Sequence, residues 1–94
     1  MTVQAIVRVP NLSIEAYDAS TEHLGPMVTQ QPGFITHAAV QDGNDFVITE
    51  YWESEEQAKQ WYDNVVRPAT AQAGISGFTA EFHPVHNLIL GQGG

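Results

Sequence analysis

Apolar and polar residues alternate with a period of two along several stretches of the chain and recur at helical spacing along two others. From Thr2 to Val9 the alternation puts Val3, Ala5 and Val7 on one face and Thr2, Gln4, Ile6 and Arg8 on the other, the pattern of a strand. Pro10-Asn11 ends it. Ser13 is placed to cap a helix, with Glu15 and Asp18 near its start, and Ile14, Tyr17, Leu24, Met27 and Val28 form its apolar stripe. Gly25-Pro26 interrupts that stripe, which predicts a kink or two short helices, because proline lacks an N–H and disfavours helical geometry before it. Beyond Pro32-Gly33 a second strand is predicted over 34–41 and a third over 46–52, joined by the turn cluster Asp42-Gly43-Asn44-Asp45. The third strand runs into a helix capped by Ser54, with Glu55 and Glu56 where the exposed N–H groups favour negative charge. That helix carries Ala58, Trp61, Tyr62, Val65 and Val66 on one face and is expected to end near Pro68, with room for one more turn over 69–73. Gly74 and Gly77 flank a turn. A fourth strand is predicted from Phe78 to Ile89, with Pro84 demanding an edge or a bulge, and Gly91 to Gly94 reads as a flexible tail.

The resulting order is β-α-β-β-α-β, an α+β arrangement of the split-βαβ or ferredoxin-like type, with both helices on one face of an antiparallel sheet. The opposite face is not left polar. Phe34, Ala38 and Val40 form one alternating set on the second strand and Ile35 with Ala39 the other, so both faces carry apolar residues. The chain has no third helix to cover the second face, which points to a homodimer packed sheet to sheet.

Totals narrow the function classes. Ninety-four residues make one domain, read as residues 1–90 plus the tail. The net charge of −8 with three basic residues argues against nucleic acid and against an anionic membrane surface, both of which are bound through Lys/Arg clusters. With no cysteine, disulfides, thiolate catalysis and Cys-ligated metals are excluded. The start of the chain has neither a basic segment nor a long apolar run, and no stretch approaches a membrane span, so a cytoplasmic protein is expected.

Pro32-Gly33-Phe34, the Asp42-Gly43 turn, and Tyr51-Trp52-Glu53-Ser54-Glu55-Glu56 followed by Trp61 resemble the antibiotic-biosynthesis-monooxygenase domain of the dimeric α+β barrel superfamily. The resemblance covers most of the chain and is best over residues 32–67. It implies a homodimer and a ligand pocket between sheet and helices. Members include cofactor-free oxygenases that turn polycyclic phenols into quinones and haem-degrading oxygenases, and relatives include polyketide cyclases and lactone isomerases. Trp52 matches a strand-end tryptophan of the quinone-forming members, but Ile48 and Ala58 stand where those members place an asparagine and a tyrosine. Trp61 matches a helix tryptophan of the haem-degrading members, whose axial histidine position holds Ala71 here, so neither haem nor another cofactor is expected.

Candidate chemistry is sparse. His37 and His83 are the candidate catalytic bases, since an imidazole titrates near neutral pH. The plainer role for His37, mid-strand among apolar neighbours, is a hydrogen-bonded group on the inter-subunit face. His83 and His86 would need a third ligand such as Glu81 to hold a metal, and none is expected. Trp52, Trp61 and Tyr62 are candidates for stacking on a flat aromatic ligand, although each also suits the core between sheet and helix. Arg67 is a candidate for orienting an anionic substrate, against the simpler role of covering a helix end. Arg8 is expected to pair with Glu50 or Glu81. These residues suggest a cofactor-independent monooxygenase for a small hydrophobic or aromatic substrate. A cyclase or isomerase on the same pocket and a non-catalytic ligand-binding dimer are the alternatives.

Overall fold

The computed structural model describes residues 1–75 and 77–92; Ser76 in the predicted turn and the last two glycines of the predicted tail lie outside the described residues. Four strands form one antiparallel sheet: β1 (Val3–Val9), β2 (Phe34–Asp42), β3 (Asp45–Trp52) and β4 (Thr79–Pro84), in the spatial order β2-β3-β1-β4. The helices are α1 (Ile14–Val28), α2 (Glu55–Trp61) and α3 (Arg67–Gln72), the last two joined by a π-helical turn over Tyr62–Val66. The ferredoxin-like α+β arrangement read from the sequence is the fold.

The register explains the core. Val3, Ala5, Val7 and Val9 lie opposite Trp52, Glu50, Ile48 and Phe46, and opposed residues of paired strands share a face. The apolar side of β1 is buried against the helices together with Leu12, Val28, Trp52, Ala58, Trp61, Tyr62 and Phe78. Burial of such side chains, about 1.5–3 kcal/mol each, is the main favourable term for so small a sheet.

Both predicted caps form. The Ser13 hydroxyl accepts from the Ala16 N–H at 3.1 Å, and the Ser54 hydroxyl accepts from the Gln57 N–H at 3.2 Å. The loop before β2 docks on the second cap. Gly33 has φ +86°, a conformation that strains any residue with a Cβ, and a Cβ there would also push the Gln57 side-chain amide aside. The Gly33 carbonyl accepts from the Glu53 N–H at 2.8 Å, tying the loop to the start of the helix.

Three expectations are corrected and one that was left open is decided. α1 is one uninterrupted helix, because Pro26 falls in its last turn and Thr29 caps the end through the Gly25 carbonyl. Of the two ends left open for the second helical segment, Pro68 or one more turn over 69–73, the longer is the one formed. A π turn, closed by the Arg67 N–H on the Tyr62 carbonyl, stands directly before that proline, and the chain stays helical to Gln72. β4 stops at Pro84 rather than Ile89, since Pro84 pairs with Val3, the first residue of β1. Past one further bond, from the Val85 N–H to the Thr2 carbonyl at 2.9 Å, β1 offers no more backbone. Finally, a bulge between Phe34 and Thr36 sets Phe34 opposite Trp52 on the helix side, while Ala38 and Val40 remain on the outer side.

The hairpin joining β2 and β3 turns at Gly43 (φ +61°) and brings Asp42 opposite Asp45. Arg8 resolves that like-charge pair by reaching Asp42 at 2.8 Å and Asp45 at 2.9 Å; it bonds neither of the glutamates proposed for it. The Asn11 N–H, donating to Asp45 at 3.1 Å, and then Arg8 hold the Asp45 carboxyl below the usual aspartate range.

Candidate active site

A cavity of about 410 Å³ lies between α1, the inner face of the sheet and the second helical segment, within the size range of small-molecule sites. Its apolar walls include Val7, Val9, Ile48, Leu24, Trp61 and Phe78. α1 rests on the sheet at Tyr17, whose ring stacks on Phe46 with centroids 4.7 Å apart and planes 6° from parallel. Val28 is buried near the other end of the helix.

The polar part of the wall is built around Glu50, the one buried charged residue among the described residues, with 4% of its surface exposed. An isolated carboxylate at such a depth costs several kcal/mol, and here it is met by three donors. The Trp52 indole N–H donates to Oε1 at 3.0 Å and the Tyr62 hydroxyl to the same oxygen at 2.6 Å. His37 Nδ1 meets Oε2 at 2.6 Å. Burial, and then the charge of Glu50, push the Tyr62 phenol far above its ordinary value, so it stays protonated and remains a donor. With Glu50 ionised, Nδ1 carries the His37 proton, and Nε2 is left free to accept. Its partner is the Tyr17 hydroxyl at 2.8 Å. A continuous chain therefore runs from a buried carboxylate through an imidazole to a phenol, and Glu50, His37 and Tyr17 all line the cavity. This is the layout of an oriented general base: the carboxylate fixes the tautomer and stabilises the imidazolium once a proton arrives.

The bulge in β2 and the pairing of His37 with Glu50 place His37 on the helix side, not on the outer face proposed as its plainer position. His83 is on the outer side, opposite Gln4 on β1 and 3.3 Å from Glu81, away from the cavity. Trp61 and Tyr62 line the cavity. Trp52 is fully enclosed behind Glu50 and reaches the site through its indole N–H. Arg67 bonds Asp63 at 3.0 Å and covers the Phe78 ring, outside the cavity wall. Among the described residues no three His, Asp or Glu side chains come together as a metal site. Sequence reasoning missed Glu50 and Tyr17 as site residues. Glu50 was visible as an acid in the buried alternation Phe46, Ile48, Glu50, Trp52, which is where a paired internal carboxylate would stand. Tyr17 had no local signal, because its role comes from the crossing of α1 over β2.

The fold and this cavity define a small ferredoxin-like α+β protein with an apolar cavity between sheet and helices and a carboxylate–imidazole pair in its wall. The chain belongs to the antibiotic biosynthesis monooxygenase family, whose model matches residues 1–73. Among solved structures it is similar to SnoaB of Streptomyces nogalater, a cofactor-independent oxygenase, at 15% identity with a TM-score of 0.70, covering 94% of this chain and 96% of that one. It is similar also to the monooxygenase from the gene ActVA-Orf6 of Streptomyces coelicolor, solved with nanaomycin D, at 21% identity and a TM-score of 0.69, covering 96% and 92%. NE2512 of Nitrosomonas europaea, a protein of unknown function, matches at 15% identity with a TM-score of 0.76, covering 98% and 96%. No curated protein matches the chain. No helix among the described residues is long and apolar enough to cross a membrane.

Proposed function

We propose that the protein is a cofactor-independent oxygenase acting on a small hydrophobic, hydroxyl-bearing aromatic substrate, and that it works as a homodimer. The observation that carries this reading is the Glu50–His37–Tyr17 chain opening onto an apolar cavity. The family supports it, as does a fold shared with a cofactor-independent oxygenase and with a monooxygenase solved with nanaomycin D.

On this reading the substrate hydroxyl lies against the Tyr17 hydroxyl. Its proton passes to the Tyr17 oxygen as Tyr17 gives its own to His37 Nε2, and the imidazolium is held beside Glu50. The ring is left as an aryloxide with carbanion character at an open ring carbon. Dioxygen from solution adds at that carbon: a C–O bond forms, the ring supplies the electron pair, and the resulting peroxide takes the proton back from His37. Loss of the ring hydrogen as a proton, with cleavage of the O–O bond, leaves a second ring carbonyl and releases one oxygen atom as water. The protein's part is deprotonation, orientation and exclusion of bulk water.

Oxygen uptake with a panel of polycyclic phenols tests the proposal. Turnover should fall by roughly 10²–10⁴-fold in His37→Asn, the range general-base loss produces, with the fold intact by circular dichroism. Isomerisation or ring closure of a substrate without oxygen uptake would replace the oxygenase with a cyclase or isomerase using the same acid–base pair. Wild-type silence on every substrate, or full activity in His37→Asn, rejects the assignment.

A further inference from the structure

All three basic side chains of the molecule are committed elsewhere. Arg8 closes the β2–β3 hairpin through Asp42 and Asp45, Lys59 pairs with Glu55 at 2.6 Å, and Arg67 pairs with Asp63 at 3.0 Å. None of them lines the cavity. The one full charge in its wall is the Glu50 carboxylate, placed where water is scarce and screening is weak. Protonation of His37, bonded directly to Glu50, neutralises that charge and does not create a net positive one. The remaining polar groups of the wall, such as Ser20, Thr21 and Thr70, are hydroxyls. The site can hydrogen-bond an uncharged hydroxyl or carbonyl, and an aryloxide formed there is matched by the proton it passes to His37, whereas a ligand that arrives already as a carboxylate brings no such proton and meets only the charge of Glu50.

We infer that the cavity selects its ligand by charge, accepting uncharged hydroxy- or oxo-aromatic molecules and rejecting those that carry a carboxylate, with Glu50 as the residue that enforces the choice. This rests on the proposal that the cavity is the substrate site, and it narrows the substrate class from hydroxyl-bearing aromatics in general to phenols that carry no carboxylate. The substrate must then come from a reaction that leaves no free acid on the ring system, such as a decarboxylation, an amidation or a lactone closure.

Three probes of one shape test it by calorimetry at neutral pH: 2-naphthol, 2-naphthamide and 2-naphthoate. The two neutral probes should bind, and naphthoate should bind at least ~10-fold more weakly than its uncharged amide, the size of effect that one unpaired charge near another produces at an effective dielectric constant well below that of water. Glu50→Gln, which keeps the shape and the acceptor for Trp52 and Tyr62 and turns His37 to its other tautomer, should raise naphthoate affinity relative to naphthamide. Should that variant fail to fold, Thr21→Arg, which adds a cation to the cavity wall, should raise naphthoate affinity in the same way. Equal binding of naphthoate and naphthamide by the wild type, no gain for naphthoate in a folded variant, or no binding of any probe overturns the inference. Charge-ranked binding without oxygen uptake strikes only the oxygenase reading and leaves the selection by charge standing.

Discussion

Tyr62 holds its proton because it is buried and because Glu50 stands 2.6 Å away. The unfolded chain releases this proton near pH 10 and the folded chain does not, so above about pH 10 the folded state binds more protons and stability falls as pH rises. Denaturant titrations in alkaline buffers should show a loss of up to about 1.4 kcal/mol per pH unit from this group. Tyr62→Phe should remove that slope and, at neutral pH, cost about 1–3 kcal/mol through the donor taken from Glu50. An unchanged alkaline slope in the variant would show that another group sets it. Asp45 behaves oppositely. The Asn11 N–H and Arg8 depress its titration, so its contribution is fully present above the ordinary value of 3.8 and is lost as pH falls through the depressed one. Asp45→Asn should flatten the acid limb of the stability curve below about pH 4, read by the same titrations.

At the scale of elements, the loop before β2 and the helix after β3 form one joint. Gly33 sits at φ +86° against Gln57, and its carbonyl holds the Glu53 N–H. Gly33→Ala should cost about 1–2 kcal/mol, the penalty for a left-handed residue with a Cβ, and a urea midpoint unchanged from wild type would refute that strain. Most elements were legible because their signals are local: a period of two on β1 and β3, serine caps at 13 and 54, a turn cluster at 42–45. What could not be read depends on partners distant in sequence. Where β4 ends is decided by where β1 begins, and the length of the second helical segment by a π turn that carries the chain past Pro68. The face of His37 was misjudged for the same reason. The bulge near Phe34 breaks the simple alternation of β2, so only the pairing with Glu50 shows that the imidazole turns inward. Of the aromatic candidates named from composition and spacing, Trp61 and Tyr62 line the cavity, whereas the hydrogen-bonded chain Glu50–His37–Tyr17 spans three separate elements.

The whole molecule leaves one face of its sheet uncovered. Ile6 on β1, Ala38 and Val40 on β2 and Val47 on β3 share that face with Thr36, Thr49 and Tyr51, and Val40 is 60% exposed. The helices are spent on the other side, and a domain of this size gains most from burying what remains apolar. A second copy is the simplest cover: a sheet packing on its own twin is self-complementary, and two-fold pairing closes without leaving a further apolar edge. A stable pairing of this kind buries on the order of 1,200 Å² or more in total. Sedimentation at micromolar concentration should therefore give twice the chain mass. Val40→Lys, which sets a charge on that face without touching the cavity, should shift the protein toward monomer and lower its thermal midpoint in a concentration-dependent way. A wild-type monomer, or a Val40→Lys protein that sediments as the wild type does, would mean that the outer face is not the interface. The cavity lies wholly between the sheet and helices of one chain, so the variant should keep its 2-naphthol affinity even as monomer, and loss of that affinity would show that the partner completes the site.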